Sequence, residues 1–473
     1  MGLTHRSQSA LEYMMTYGWA ILVIVIVAAV LYSLGIFSPS SSLSTTITGF
    51  SNLGTVNAVC LGGTSFTISI GDSTGYPINV TEINLTSSSG KTTYSPNILI
   101  QPNSIQTVTV PSSSLCSPGA RYSISAVVSY LEPGQIFPGP YTSTGTVAGT
   151  ANSPPSSATL YEPLTITNTQ NQGTPTPFQQ MINVTSSSPG WGDISSSPFG
   201  QNVEFFSSTG QILESWLESY TSTNAIWWVK LTSSIPEGSK QTIYMGFAPT
   251  STNLFNTNNI GEAPQLSSIY AEYDTGSKVF NYYVNFNGTN LPANWGYSIS
   301  SGGTCTQDNG MTCTANLAGS NYYCAFVHYT YNLGNLGNTE GFDWGSGPFT
   351  QDVSPNYLQE GTGPYCTPGP GYFYYLGASG STKLYSGGTY TISDNVGYPS
   401  FSGFLNSTNH FVYQFNYNTI DITPNNVSSG YFGSNYFAVG DINDSSTPKF
   451  YWFDIRNLPP NDIMPPINFG SVS

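Results

Sequence analysis

Residues 122–130 read YSISAVVSY, a run in which every second side chain is apolar. Successive side chains of an extended strand point to opposite faces, so this run has one apolar face and one serine-rich face. The members of the apolar face are Tyr122, Ile124, Ala126, Val128 and Tyr130. The alternation predicts a half-buried β-strand.

The same alternation occurs upstream at residues 66–70, FTISI. Turn-forming residues separate such runs, with GYP at 75–77 and PN at 102–103. Short alternating strands divided by turns predict a small antiparallel β-sandwich, which we place at residues 47–148.

The composition is that of a folded β protein with few charges. The 473 residues include 33 Tyr, 25 Phe, 8 Trp, 49 Gly and 32 Pro, whereas charged residues make up only 7%. The aromatic residues supply cores, and the glycines and prolines supply turns. The nine Lys and Arg residues are scattered and the formal net charge is -15, which excludes nucleic acid as a partner.

The segment from Met14 to Phe37 contains no charged side chain. As a helix it would be roughly 36 Å long, enough to cross a hydrocarbon core of about 30 Å. Arg6 precedes the segment and the next basic residue, Lys91, lies far beyond it. The positive-inside rule therefore predicts a single-pass protein of the cell membrane with its carboxyl-terminal bulk outside.

The residues before this segment, from Arg6 to Glu12, resemble the class III signal peptides of archaeal type IV pilin-like proteins. The family pattern falls on Arg6, Ser7, Gln8 and Glu12, although the family usually has Gly or Ala where this chain has Ser7. The resemblance implies a leader at 1–7, removed by a prepilin-type peptidase, and a retained helix at 8–37.

Glu12 lies at the edge of that apolar helix, where a lone carboxylate is costly. In pilin-like filaments its partner is thought to be the freed α-amine of a neighbouring subunit. The resemblance thus implies pilin-like subunits as partners and a role for Glu12 in filament assembly. The alternative is that Glu12 lies in the lipid headgroup layer and marks only the membrane boundary.

Two further features indicate the cell exterior. The six cysteines are even in number and lack metal-binding spacing, which favours disulfides in an oxidising compartment. Seven N-x-S/T triplets lie beyond the helix, although a chain rich in Asn, Ser and Thr also produces them by chance. These candidate N-glycosylation sites are Asn79, Asn84, Asn183, Asn287, Asn406, Asn426 and Asn443.

The middle of the chain is predicted to form a second β-rich domain. A serine-rich linker at 38–46 and a second linker at 149–159 bound the first sandwich, and a β-rich domain is expected at 160–261. Its predicted strands are Gln180–Val184, Asn202–Phe206, Ala225–Leu231 and Gln241–Phe247. In the third of these, Trp227, Val229 and Leu231 share a face and Lys230 points away.

Three motifs in this domain carry a resemblance to a surface-protein domain of unknown function. They are NVEFFSSTGQILESW from residue 202, IWWVKL from 226 and TIYMGF from 242. The resemblance covers about residues 177–250 and implies no chemistry, because the activity of that family is not known.

The remainder, residues 262–473, is expected to form a further β-sandwich. YDTGSKVFNYYVNFNGTNLPANW at 273–295 resembles the opening of a concanavalin-like, laminin-G-like jelly roll, and FYWFDIRNLPPNDIMPPINFG at 450–470 resembles its closing strand and tail. The predicted fold class is therefore mostly β, with a transmembrane helix followed by β-sandwich domains.

The cysteines also predict local pairings. Cys60 and Cys116 are the only cysteines of the first sandwich, so we pair them; two buried free thiols are the alternative. In CTQDNGMTC, a three-residue loop that ends at a left-handed Gly310 places Cys305 opposite Cys313. Elimination then pairs Cys324 with Cys366, although four cysteines allow three connectivities.

No catalytic constellation is present in the sequence. Jelly-roll glucanases carry two carboxylates in E-x-D-x-x-E, and the nearest string here has Glu272 and Asp274 but Ser277 in the last position. Glu340 and Asp343 lie in a glycine-rich stretch that we interpret as a loop, either a solvated turn or a weak calcium site. We expect no enzyme activity and, calcium aside, no cofactor or metal.

Aromatic side chains are the candidates for binding a sugar. Trp344, in the expected loop, is the candidate for stacking on a sugar ring. The YFYY run at 372–375 is better explained by alternate side chains that fill a sandwich core.

The predicted function is a membrane-anchored, pilin-like adhesion or surface-filament subunit that contacts lipid and binds glycans. The rivals are a glycan-active enzyme with a non-standard site and a static envelope component.

Processing of the amino terminus is directly testable. We expect a mature protein that begins at Gln8 and retains the helix, and a loss of processing in Arg6→Ala, because the resemblance places Arg6 in the peptidase recognition site. The intact mass of the protein from its own membrane reports the cleavage point. A mature terminus beyond Phe37 would instead identify an ordinary secretory signal.

Overall fold

The computed structural model describes residue 23, residues 45–299, 303–315 and 449–473, and the strands between residues 324 and 442. The chain divides into two compact units, Met1–Ser153 and Pro154–Ser473. Each unit is built from β-sheets around its own apolar cores.

The first unit is an antiparallel sandwich of two sheets. Its strands are β1 (Thr46–Gly49), β2 (Leu53–Leu61), β3 (Ser65–Asp72), β4 (Ile78–Thr86), β5 (Lys91–Tyr94), β6 (Ile98–Ile100), β7 (Ile105–Pro111), β8 (Arg121–Leu131) and β9 (Tyr141–Thr150). One sheet has the order β1-β9-β8-β4-β5 with β6 also on β4, and the other has the order β2-β3-β7. The predicted β-sandwich class is confirmed.

Period-two burial explains why these strands form. All five apolar residues of the predicted face in β8 are at most 8% exposed and lie in the core. The turns are as predicted, since Gly75 has φ +86° and Asn103 has φ +61°, values that glycine and asparagine tolerate best. Cys60 and Cys116 form a disulfide across 56 residues of chain.

The second unit contains four sheets and three short helices in the part of the chain that is described. The first strands are β10 (Leu160–Thr167), β11 (Phe178–Thr185), β12 (Val203–Ser207), β13 (Ser215–Tyr220), β14 (Asn224–Leu231), β15 (Lys240–Phe247), β16 (Ile260–Glu262), β17 (Tyr282–Val284), β18 (Trp295–Ile299), β19 (Gly303–Gln307) and β20 (Met311–Ala315). The later ones are β21 (Cys324–Tyr331), β22 (Glu340–Ser346), β23 (Asn356–Gly361), β24 (Tyr372–Leu376), β25 (Ser381–Leu384), β26 (Gly388–Thr391), β27 (Ser400–Leu405), β28 (Phe411–Phe415), β29 (Asn418–Asp421), β30 (Asn435–Ile442), β31 (Lys449–Asn457) and β32 (Ile467–Phe469). The helices are the α-helical turn α1 (Gly276–Val279) and two 3-10 turns, Pro189–Asp193 and Pro460–Asp462.

Two four-stranded sheets form the first half of this unit. Their orders are β12-β15-β10-β32 and β11-β14-β13-β16, and all pairs are antiparallel except β13 with β16. β14 shows how the sequence positions them. Trp227, Val229 and Leu231 enter the core between the two sheets, as predicted, whereas Trp228 on the opposite face is buried in a separate cluster. Lys230 shares that opposite face and pairs with Glu214 at 2.8 Å.

Two larger sheets form the second half. One has the order β19-β20-β31-β22-β27-β28-β29 with β17 also on β31, and the other has the order β18-β21-β30-β23-β24-β25-β26. The predicted hairpin is present, with Gln307 opposite Met311 and Cys305 bonded to Cys313. Gly310 has φ +123°, as the three-residue loop requires.

The interpretation of residues 340–346 as a glycine-rich loop is wrong. Glu340–Ser346 is strand β22, hydrogen-bonded to β27 on one edge and β31 on the other. Two neighbouring strands satisfy its backbone groups on both sides, which outweighs the weak strand preference of Gly341 and Gly345. Trp344 therefore belongs to a central strand rather than to a loop.

The carboxyl-terminal tail returns to the first half of the unit. β32 pairs with β10, with Phe469 opposite Leu164, so the tail extends the β12-β15-β10 sheet instead of the sheet that contains β31. Gln180 Nε2 donates to the carbonyl oxygen of Pro465 at 3.1 Å and holds the same segment.

Several predicted features lie outside the described residues. They are the helix at 8–37 apart from Val23, the leader residues, Cys366, the side chains of Cys324 and Trp344, and the sequons at Asn406, Asn426 and Asn443. Where the chain is described, none of its helices has the length and apolar character needed to cross a membrane.

Gly261 in β16 gives a test of the packing in the second unit. We expect Gly261→Ala to destabilise the unit by about 2 kcal/mol or more, because the new Cβ would lie 2.1 Å from the backbone oxygen of Tyr273. Urea unfolding of the full chain measures the change in the free energy of unfolding.

Gly192→Ala is the matched control, since a Cβ at Gly192 meets no atom within 4 Å. Its effect should stay within about 0.5 kcal/mol. Equal losses in the two variants would contradict the packing described for β16.

Candidate functional site

Two sheets of the second unit meet in an aromatic seam formed by Trp216, Trp228, Phe280 and Trp452. Trp216 packs edge-on against Trp452, with ring centroids 5.0 Å apart, and against Phe280 at 5.2 Å. Trp228 packs on Phe280 at 5.8 Å. The seam joins the β13-β14 side of one sheet to β31 of another, so the two halves of the unit share a core.

Buried charged groups accompany the seam. Trp228 Nε1 donates to Glu218 Oε2 at 2.6 Å, and the guanidinium of Arg456 lies 4.9 Å from the centroid of the Trp228 ring. Glu218, Asp454 and Arg456 are each at most 3% exposed. Removing one member of a set of buried charged groups leaves the others without compensation, so we expect substitutions at these three residues to be destabilising.

Asp274 lies at the edge of the seam and accepts four hydrogen bonds. Oδ1 accepts from Trp216 Nε1 at 2.9 Å and from the Gly276 amide at 3.0 Å. Oδ2 accepts from Tyr283 Oη at 3.0 Å and from Asn285 Nδ2 at 2.8 Å. The single carboxylate thus ties β13, α1 and the segment after β17 together.

The local sequence places these donors. Thr275 Oγ1 donates to the Ser215 carbonyl at 2.8 Å, which holds the start of α1 on β13. Gly276 follows, and a Cβ there would lie 2.3 Å from the Tyr283 ring, so only glycine lets this amide approach Asp274 beside that ring. On the other side, the single hydroxyl hydrogen of Tyr270 is shared between the Asn285 and Tyr451 carbonyl oxygens, which lie 2.6 and 2.9 Å from Oη.

The electrostatics of Asp274 and Tyr283 follow from their burial. Burial raises the pKa of the Asp274 carboxyl, and the hydrogen bonds from its four donors oppose that rise. Burial, reinforced by the neighbouring Asp274 charge, holds the pKa of Tyr283 well above its ordinary value. Tyr283 therefore remains a neutral donor to Asp274. A carboxylate whose two oxygens already accept four bonds is a structural acceptor, poorly suited to act as a nucleophile or proton donor.

A cavity of about 240 Å³ opens beside this carboxylate. Its lining is uncharged apart from Asp274 and combines hydroxyl and amide groups with apolar surface. The lining residues are Asp274, Ser277, Tyr283, Val284, Asn285, Phe286, Asn287, Pro292 and Gln307. Gln307 Nε2 donates to the Asn287 carbonyl at 3.0 Å and holds the loop that forms one wall.

The sequence-predicted carboxylates do not form a pair in the cavity. Glu272 is not part of the lining, Asp274 accepts four hydrogen bonds, and Ser277, at the position of the last acid in the E-x-D-x-x-E pattern, lines the cavity. Glu340 and Asp343 lie in β22, where Asp343 is opposite Asp454. In the described part of the chain no three Asp, Glu, His or Cys side chains converge as a metal site.

Four of the candidate glycosylation sites are described. Asn287 and Asn183 are exposed, whereas Asn79 and Asn84 are half-buried in β4. Asn84 accepts from Thr93 Oγ1 and donates to Glu82, both at 2.5 Å, so its side chain is already engaged. Asn287 also lines the cavity, which makes it the sequon with a bearing on ligand access.

The seam and the cavity were missed by sequence reasoning. One signal was available, because the adjacent Trp227 and Trp228 must point to opposite faces of β14 and so imply apolar contacts on both. The partners of Trp228 come from Phe280 and Arg456, up to 228 residues away in the chain. No local pattern indicates such contacts.

Two more carboxyl groups are buried in the first half of the second unit. Burial raises the pKa of Glu162 from 4.5 to about 7, against one hydrogen bond from the Gly190 amide and with a small addition from Asp193. Burial likewise raises the pKa of Glu262 to about 7, opposed by a hydrogen bond from Ser267. Near neutral pH both carboxyl groups are therefore partly protonated in the folded protein.

Comparison with known proteins identifies one domain. Residues 199–297 match the family model described as a domain of unknown function (DUF2341). The predicted resemblance to a domain of unknown function is confirmed, and the matched range extends to β18, so it contains Trp216, Asp274 and Tyr283. The seam and the cavity thus fall largely within this domain.

One curated relative is a viral protein described as uncharacterized protein 562 of Sulfolobus islandicus rod-shaped virus 1. It is 42% identical over 129 residues, which is 26% of this chain and 21% of the viral protein. The chain therefore matches about a fifth of the length of that relative.

Two solved structures show distant similarity. A GH43 protein, a BlXynB mutant from Bacillus licheniformis, is 11% identical with a TM-score of 0.25, and the similarity covers 86% of each chain. The sialidase of Trypanosoma rangeli in complex with sialic acid is 9% identical with a TM-score of 0.23, over 86% of this chain and 82% of the sialidase. At TM-scores this low, neither similarity carries weight for the activity of this chain.

The buried acids predict how stability depends on pH. When the pKa of a carboxyl group is higher in the folded than in the unfolded protein, protonation of that group stabilises the folded state. This stabilisation is complete below the pKa of the unfolded protein and is lost as the pH rises through the pKa of the folded protein. Stability should therefore fall between about pH 4.5 and pH 7. Glu162→Gln should remove up to roughly 3 kcal/mol of that fall.

Urea unfolding of the full chain across this pH range measures the slope. Glu237→Gln serves as the control, because Glu237 is exposed and its replacement should leave the slope unchanged. A Glu162→Gln variant with the slope of the unaltered chain would show that Glu162 does not titrate in the expected window.

Proposed function

We propose that this chain is a cell-surface adhesion protein whose second unit binds a neutral glycan without cleaving it. It is held in the cell membrane by its amino-terminal helix, with the β-rich bulk outside, and it joins a pilin-like surface filament. The cavity beside Asp274 is the observation that supports glycan binding most directly.

The lining of this cavity suits a sugar. Ser277 and Asn287 offer exposed hydroxyl and amide groups, and the half-buried Pro292 offers apolar surface. A sugar ring presents hydroxyl groups around its edge and C–H groups on its faces, so it can use both kinds of surface. The lining has no Lys or Arg and one carboxylate, which favours a neutral sugar over an acidic one.

Binding without cleavage follows from the state of Asp274. Glycoside hydrolysis needs two carboxyl groups that flank the scissile bond. Asp274 is committed to Trp216, Tyr283 and two further donors, and the cavity lining supplies no second acid. This arrangement supports a non-catalytic protein.

The extracellular location and the anchor rest on separate observations. The Cys60–Cys116 and Cys305–Cys313 disulfides persist in oxidising compartments and are rare in the cytosol. The apolar segment at 14–37 supports a membrane span, and the Arg6 to Glu12 resemblance supports processing by a prepilin-type peptidase and assembly with pilin-like subunits.

Glycan binding can be tested with the full chain on an array of neutral glycans, together with an assay for released sugar. We expect binding that Ser277→Phe abolishes, because an aromatic ring at this exposed position would fill the cavity. Ser233→Phe is the matched control, since Ser233 is exposed and does not line the cavity.

Two results would contradict the proposal. A blank array would favour a static envelope component. Released sugar that disappears in Asp274→Asn or Glu272→Gln would identify a glycan-active enzyme with a non-standard site.

A further inference from the structure

The first unit has two distinct ends. The chain enters at Thr46, which is opposite Ala148, and it leaves after Thr150, so both connections lie at the same end of β9. The hairpin loop between β8 and β9, residues 132–140, lies at the other end.

Two more loops share that far end. Asn79 near the start of β4 is opposite Leu131, which places the β3-β4 loop, residues 73–77, beside the hairpin loop. Ile105 is opposite Gly71 near the end of β3, which places the β6-β7 loop there as well. The fold thus gathers three loops at the end remote from both connections.

Large apolar side chains project from this end of the unit. Ile136 is 90% exposed and Phe137 is 79% exposed, and Tyr76 and Ile105 are each about half exposed. We call these four residues the apolar apex. Tyr76, Ile136 and Phe137 lie in two of the loops and Ile105 begins β7 directly after the third, so their common position follows from topology and not from one apolar stretch of sequence.

The apex loops are held in place. Tyr141 Oη donates to the Phe137 carbonyl at 2.6 Å, and the Glu132 amide donates to the Pro138 carbonyl at 2.8 Å. Asp72 Oδ1 accepts from both the amide and the hydroxyl of Thr74 at 2.8 Å, which fixes the loop that carries Tyr76. Ile136 and Phe137 are therefore exposed by a fixed backbone.

The charge at this end is low and negative. The loops at 73–77, 101–104 and 132–140 contain no Lys or Arg, and Glu132 is their one charged residue. Lys91 and Arg121 begin β5 and β8 at the opposite end. Anionic surfaces are thus poor partners for the apex.

We propose that the apolar apex inserts into the interfacial region of an uncharged lipid bilayer. Ile136 and Phe137, the most exposed members, suit the boundary between headgroups and acyl chains. Tyr76 suits the headgroup layer, where a ring that carries a hydroxyl group is favoured. The absence of cations in the apex loops selects zwitterionic over anionic lipid.

The size of the apex favours lipid over a protein partner. Four partly exposed side chains offer on the order of 400 Å² of surface, whereas a stable protein interface needs about 800 Å² on each side. A bilayer needs no matching surface. Several copies on one membrane also add their separate weak contacts.

The test rests on the membrane anchor of the proposed function, and it uses the full chain, fluorescently labelled and reconstituted in phosphatidylcholine vesicles. These are mixed with dense, protein-free phosphatidylcholine vesicles that carry no glycan, and the fluorescence that sediments with the dense vesicles is measured. We expect co-sedimentation that falls about tenfold or more in the Ile136→Ser, Phe137→Ser double variant. Because no sugar is present, this result is independent of glycan binding.

Ile269→Ser is the matched control, since Ile269 is 67% exposed in the second unit and its loss should leave co-sedimentation unchanged. Circular dichroism checks that the double variant is folded. Unchanged sedimentation of the double variant would overturn the proposal. So would sedimentation that requires phosphatidylglycerol, or clustering of protein-bearing vesicles with each other, which would identify a second copy as the occupant.

Discussion

The edge-on contact between Trp216 and Trp452 is the interaction on which the second unit depends. It links residues that lie 236 positions apart in the chain, and it lies within a cluster of buried apolar side chains. An aromatic pair adds only about 0.5–1.5 kcal/mol beyond its burial. Its importance is geometric, because Trp216 Nε1 also donates to Asp274 and so couples the packing of two sheets to the position of a polar loop.

Asp274 connects the packed sheets to the wall of the cavity through its hydrogen bonds. A buried carboxylate is tolerated when donors surround it, and here the donors come from β13, α1 and the segment after β17. Tyr283 and Asn285, which line the cavity, are consequently held in place by their hydrogen bonds to this carboxylate. A preformed wall lowers the ordering cost of binding, so the proposed glycan site would not have to be assembled when its ligand binds.

Local pattern predicted much of the fold and little of the site. Alternation in β8 and β14, the hairpin at Gly310 and the Cys60–Cys116 pair are set by neighbouring residues or by elimination, so sequence reasoning reached them. β22 was misassigned because its glycines are weak strand formers and its partners are remote in the chain. The four donors to Asp274 likewise come together only in three dimensions.

The two units use the same few charges in different ways. In the second unit, Glu162 and Glu262 are buried and their pKa values are raised. Lowering the pH therefore protonates these two carboxylates, which removes charges that are costly to bury. In the first unit, Lys91 and Arg121 are confined to the end where the chain is connected, which leaves the apex apolar and free of cations. A chain with 7% charged residues must rely on packing and hydrogen bonds, and the placement of its few charges determines which surfaces are left uncharged.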